Sequence, residues 1–231
     1  MSQEVQPMRF SPEAAMRPST EVEESSSVFE FRTYEMVPSL VRYYLSVVDQ
    51  SLQRIRQDEY GRLIGFWYSE FGGSCSVYHL WEFPSLDARR KARQVLGQRA
   101  EWEEFLRSVA PAINAQSIDF LRAQTRVDNA ATNSWCYEMN RYQAVVGEVR
   151  VAVDAVKGRP RSDRSTVIAI WVSEAPDPNQ IFELISYPDF EARARDTTSE
   201  PDQTSWWLKH RDVFRSSCRT LMFPAAVSPL T

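Results

Sequence analysis

Histidine is almost absent from this chain of 231 residues, which has only His79 and His210. They lie far apart, and no carboxylate sits at ligand spacing beside His79, so the sequence predicts no dedicated metal site. Cysteine is equally scarce. Cys75, Cys136 and Cys218 are odd in number, widely spaced and free of any Cys-x-x-Cys pair, which argues against zinc or a redox couple and predicts reduced thiols in a cytoplasmic protein. A basic excess is missing too. The formal net charge is −4, so the expected partners do not include nucleic acid. No apolar run approaches the length of a bilayer span, so no membrane partner is expected. The start Met1-Ser2-Gln3-Glu4-Val5-Gln6 lacks the basic and apolar regions of a secretory signal, and Glu21-Val22-Glu23-Glu24 is wrong for an acid-poor transit peptide.

What is present is ordinary globular composition, 43% hydrophobic and 25% charged, with aromatic residues grouped in short runs. Residues 1–27, with Pro7, Pro12, Pro18 and an acidic cluster, read as a flexible leader. Val28-Phe29-Glu30-Phe31-Arg32-Thr33-Tyr34 alternates bulky and polar groups and predicts a strand. Pro38 and Ser39 signal a helix start, and Val41, Tyr44, Leu45, Val48, Leu52 and Ile55 follow helical spacing. Two aromatic-rich runs, Gly65–Phe71 and Val77–Phe83, flank a Gly-Gly-Ser-Cys turn and predict a β-hairpin. After Pro84-Ser85 a second helical region extends from Leu86 through Arg107, and Ser117–Leu121 closes the unit as a strand. The order over residues 28–122 is β-α-β-β-α-β, the ferredoxin-like arrangement of an α+β fold with both helices on one face of an antiparallel sheet.

Residues 123–133 carry few large apolar groups and read as a linker. Residues 134–231 then repeat the first unit in diverged form. Tyr137–Tyr142 falls under Phe29–Tyr34, and at a second constant offset Trp67 pairs with Trp171, Ser69 with Ser173, Glu70 with Glu174, Arg89 with Arg193 and Trp102 with Trp206. A ferredoxin-like sheet buries only one face under its own helices, so its other face requires a cover. Two tandem units in one chain supply it. The expected architecture is an intramolecular barrel of two facing sheets, with further pairing into a homodimer left open.

The motifs Phe29-Glu30-Phe31-Arg32-Thr33-Tyr34-Glu35, Gly65-Phe66-Trp67-Tyr68-Ser69-Glu70-Phe71-Gly72, Val77–Arg89 and Glu101-Trp102-Glu103-Glu104-Phe105 resemble the NIPSNAP family of the dimeric α+β barrel superfamily. The resemblance covers residues 28 to about 122 well and 135 to about 223 as a worn copy. It implies the barrel fold. It also implies a range of activities, since the superfamily includes cofactor-free monooxygenases, isomerases, cyclases, decarboxylases and haem enzymes, while NIPSNAP proteins are linked to mitochondrial and vesicular roles in animals. The acidic leader and the tandem arrangement depart from the mitochondrial members. On the resemblance alone, His79 could serve as an axial haem ligand; the expectation adopted is that no cofactor is used.

His79 is the main candidate for chemistry, because it sits inside a strand and can exchange a proton near neutral pH. Strand alternation places Val77, His79 and Trp81 on one face, and Arg32 with Tyr34 on one face of the first strand. If these faces line the barrel, His79 acts as base or acid while Arg32 and Tyr34 stabilise an oxyanion. Trp67 and Trp81 would contact an aromatic ligand, joined by Tyr142 and Glu183, the counterparts of Tyr34 and His79. The bland alternatives are a core histidine held by Tyr34 or a carbonyl, and an Arg32 paired with a carboxylate such as Glu70. The sequence therefore suggests a cofactor-independent enzyme of isomerase, cyclase or monooxygenase type, acting in a barrel cavity on a small aromatic or polyketide-like molecule, in secondary metabolism. The alternative is a non-enzymatic protein that binds a hydrophobic ligand or a protein partner.

Overall fold

The computed structural model describes residues 27–71, 75–128, 134–198 and 200–230. The leader up to residue 26, the hairpin turn at 72–74 and the linker segment 129–133 lie outside the described residues. The first unit runs β1 (Val28–Met36), α1 (Val41–Arg56), β2 (Arg62–Ser69), β3 (Ser76–Phe83), α2 (Leu86–Leu96), α3 (Ala100–Val109) and β4 (Ile113–Ala123). The second repeats that order as β5 (Cys136–Ala144), α4 (Val149–Lys157), β6 (Thr166–Ala175), β7 (Gln180–Tyr187), α5 (Phe190–Thr198), α6 (Glu200–Lys209) and β8 (Phe214–Pro224). None of the helices among the described residues is long and apolar enough to cross a membrane.

Val41, Tyr44, Val48, Leu52 and Ile55 are buried along one stripe of α1, as their spacing requires. The helical region after Ser85 is two helices rather than one. The Ser85 hydroxyl accepts from the Ala88 N–H and caps α2, which stops at Gly97, a poor helix former. The chain is extended at Arg99, whose guanidinium donates to the Ile55 carbonyl at the end of α1 at 2.8 Å. That break lets α3 lay Trp102, Phe105 and Val109 against the same core as α1.

The eight strands form one closed barrel in the order β1-β3-β2-β8-β5-β7-β6-β4, each antiparallel to both its neighbours. Two seams join the units, β2 to β8 and β4 to β6. Each is short, and each is extended by irregular chain in a matching way. Ala225 N–H donates to the Phe66 carbonyl while the Ser228 hydroxyl accepts from the Phe66 N–H. Across the barrel, Gln124 N–H donates to the Ile170 carbonyl while the Thr125 hydroxyl accepts from the Ile170 N–H. Phe66 and Ile170 both follow register shifts, at Leu63/Gly65 and Val167/Ala169, where a bulge would otherwise leave backbone groups unpaired. Residues 124–128 of the expected linker thus run along the barrel wall.

Inside the barrel, Phe29, Phe31, Trp67 and Leu80 of one sheet meet Tyr137, Met139, Trp171 and Phe182 of the other. Both tryptophans are 0% exposed. Among the described residues, packed side chains therefore fill the middle of the barrel expected to hold the ligand, and a polar hollow of about 420 Å³ lies toward one end, lined by Thr33, Tyr78, Arg141 and Gln180 among others. Gly65 shows how tight this packing is: a Cβ there would lie 2.1 Å from the Trp67 indole.

Candidate functional site

Arg32 on β1 and Phe66 on β2 both stand opposite His79 on β3, so the three side chains form one row across the sheet. Phe66 and the flanking Val77 and Trp81 pack with α1 and α3, whereas Tyr78 and Leu80 fill the barrel. His79 therefore faces the helices, not the lumen. Alternation along β3 correctly separates two faces, but both are apolar, and the expected assignment of the His79 face to the interior is reversed.

His79 stacks on Phe66 with ring centroids 5.1 Å apart and planes at 8°, and meets the edge of Tyr34 at 4.9 Å. The Trp81 indole N–H donates to His79 Nδ1 at 2.6 Å. An indole nitrogen only donates, so Nδ1 carries the lone pair and the proton of the neutral ring resides on Nε2. Burial, and then the positive charges of Arg32, Arg56 and Arg93, hold the imidazole well below its ordinary pKa. With Nδ1 taken up by the indole, the neutral ring presents its Nε2–H as a donor. The same bond argues against haem. Axial ligation through Nε2 would place a proton on Nδ1, where the indole hydrogen already points.

A pH dependence follows. Native His79 stays neutral while the unfolded ring protonates near pH 6.5, so as pH falls below that value the unfolded state binds a proton that the native state refuses. Stability should decline by up to roughly 1.4 kcal/mol per pH unit from this residue. Urea denaturation of the wild type and His79→Phe between pH 7 and 5 measures the difference; identical slopes would show that native His79 protonates normally.

Arg32 is not paired with Glu70. Its guanidinium bonds Glu30, two residues earlier on the same face, and donates to the Tyr34 hydroxyl at 2.9 Å. Glu30, fully buried, also receives Arg89 from α2. Burial alone would raise the Glu30 pKa, but the two arginines outweigh it and hold the carboxyl below its usual value. The repeat keeps this strand-to-helix pair, as Glu138 with Arg193 at 2.9 Å.

Between this row and helices α1 and α3 lies a cavity of about 520 Å³. Arg32, Tyr34, His79 and Trp81 line it, with Val48, Leu52, Trp102, Phe105 and Val109 opposite. Two further lining residues, Arg56 and Arg93, are absent from the sequence-derived set. Arg56 is legible in hindsight: it falls one turn after Leu52 on the buried stripe of α1, a charged residue on an apolar face. Trp67 does not join this group, because it points into the barrel.

Tyr142 and Glu183 are also apart from the cavity, on the helix-facing side of the second sheet. Glu183 is 0% exposed and accepts from the Tyr142 hydroxyl at 2.7 Å, the Asn140 amide at 3.1 Å and Arg161 Nε at 2.8 Å. Arg159 Nη2 approaches it at 3.2 Å as an ion pair, though without hydrogen-bond geometry. Protein groups thus occupy in the second unit the place of the open row beside His79.

Two four-stranded antiparallel sheets closed face to face, each with its helices outside, define the dimeric α+β barrel class. Solved structures agree on the fold. A provisional monooxygenase from Fusobacterium nucleatum superposes with a TM-score of 0.64 over 86% of this chain and 92% of that one, at 8% identity. An anthrone oxidase-like protein gives 0.59 over 90% and 94%, also at 8% identity. Within the class, residues 29–125 match the NIPSNAP family model. The similarity to the human protein NipSnap homolog 3B extends further, at 23% identity over 215 residues, covering 87% of this chain and 85% of that protein.

Proposed function

We propose that the cavity beneath α1 and α3 binds an aromatic or polyketide-like small molecule and stabilises its oxyanion, as a cofactor-independent enzyme of isomerase, cyclase or monooxygenase type. The observation carrying this reading is the donor wall formed by the neutral imidazole of His79, the Arg32 guanidinium and the Tyr34 hydroxyl. Tyr34 accepts from Arg32, so its own proton is free to donate toward a ligand. A ketone or phenol whose oxygen meets these donors becomes more acidic, because fixed, preorganised dipoles stabilise the anion more than the neutral form. That anion is the species that isomerises, cyclises or reacts with dioxygen. One fold neighbour bears the name anthrone oxidase-like protein, and an anthrone is an aromatic ketone of this kind. Three free thiols support a cytoplasmic setting.

The test is spectroscopic. Bound 4-nitrophenol should ionise at least about one pH unit lower than the free dye, equivalent to about 1.4 kcal/mol of preference for the anion. The shift should shrink in His79→Phe. A bound dye with an unchanged pKa would sink the oxyanion reading. A second reading, a binding protein without turnover, is favoured by one feature: no Asp or Glu lines the cavity among the described residues to act as base. A pKa shift without consumption of anthrones or related ketones would select it.

A further inference from the structure

We propose that the ligand of this cavity carries a carboxylate seated on Arg56 and Arg93, with an aromatic body against Trp102 and Phe105. The inference rests on the reading of the cavity as a ligand site and adds the class of molecule it takes.

Three arginines are fully buried among the described residues: Arg32, Arg56 and Arg159. Arg32 has Glu30 and Arg159 has Glu183. Arg56, 3% exposed, has no carboxylate partner among the described residues. Its guanidinium lies over the Trp81 ring at 3.4 Å, and Nε and Nη2 both donate to the Tyr60 carbonyl, at 3.2 and 3.1 Å. Neither contact neutralises the charge. Arg93 lines the same space and likewise has no ion pair among the described residues. Burial, and then the charges of Arg93 and Arg32, push Arg56 down to about 9, the signature of a cation that lacks its counterion. A buried charge without a partner is costly, and a bound anion removes that cost.

The second unit shows the loaded form of such a cradle. There the chain supplies its own carboxylate, Glu183, and two arginines that follow the first helix of the unit, Arg159 and Arg161, surround it with Tyr142. In the first unit, Tyr34 matches Tyr142 and Arg56 ends the corresponding helix, but His79 stands where the carboxylate was. The internal acid is missing and the cations remain. A small inorganic anion would satisfy the charge yet leave the apolar half of a 520 Å³ cavity unfilled. Trp102 and Phe105, stacked at 5.2 Å with planes at 22°, offer a flat wall for an aromatic body.

A pair of probes matched in shape separates charge from fit. Titration with 1-naphthoate and 1-naphthamide at neutral pH, followed by calorimetry, should show the carboxylate binding about tenfold to a hundredfold tighter, the range of charge-assisted hydrogen bonds. Arg93→Gln, on the partly exposed helix α2, should erase most of that preference without lowering the melting temperature, and Arg56→Met should do the same if it remains folded. Equal binding of the two probes overturns the carboxylate inference while the cavity survives as a ligand site. Binding of neither overturns both. A preference that persists in Arg93→Gln, or inorganic phosphate displacing 1-naphthoate at equal concentration, overturns the proposed seat.

Discussion

Glu183→Ala is expected to destabilise the protein by about 3–5 kcal/mol, the cost of leaving a buried cation without its partner. Arg159, 4% exposed, would lose its carboxylate, and Arg161, Tyr142 and Asn140 would each lose an acceptor. The same substitution at the matching position of the first unit, His79→Ala, should cost only about 1–2 kcal/mol, because it removes one stacked ring beside a space that is already open. Urea unfolding of the two variants side by side provides the comparison. Similar losses would mean that the Glu183 cluster is not the keystone of the second unit, or that His79 is as structural as its counterpart.

Glu30→Gln should produce the other large effect, again about 3–5 kcal/mol, since the amide retains the shape but leaves Arg32 uncompensated in the same wall as Arg56 and Arg93. The two arginines hold the Glu30 carboxyl below the ordinary glutamate range, so its stabilisation is complete above that range and is lost as pH falls through the lower native value. Glu30→Gln should therefore show a flatter acid branch of its stability profile than the wild type. A loss under about 1 kcal/mol at pH 7, in the range of exposed pairs, would place Glu30 in effect outside the low-dielectric core.

Much of the fold is legible in the residues. The stripe of α1 and the hairpin are local patterns, and the pairs Trp67 with Trp171 and Arg89 with Arg193 mark two copies of one unit in the sequence itself. The assignment of faces is not legible. Every central strand is covered on both sides, so Val77-Tyr78-His79-Leu80-Trp81 presents no polar face to mark what turns outward. Arg32, Tyr34, His79 and Trp81 do converge, because Arg32 stands opposite His79 and Tyr34 and Trp81 lie two residues further along the same faces of their strands. Trp67 separates from them for the same reason that the lumen is full. Arg93 required the path of α2, which bends away at Gly97 where the sequence suggested a continuous helix.

The two seams carry a consequence for behaviour on dilution. When separate chains meet to make such a barrel, its closure depends on their concentration and fails as they are diluted. Here β2 meets β8 and β4 meets β6 within one covalent chain, so each half sees the other at a fixed local concentration. Closure becomes a unimolecular event. The melting temperature of the barrel should then be the same at nanomolar as at micromolar protein, which frees one half to diverge into packing while the other keeps an open cavity.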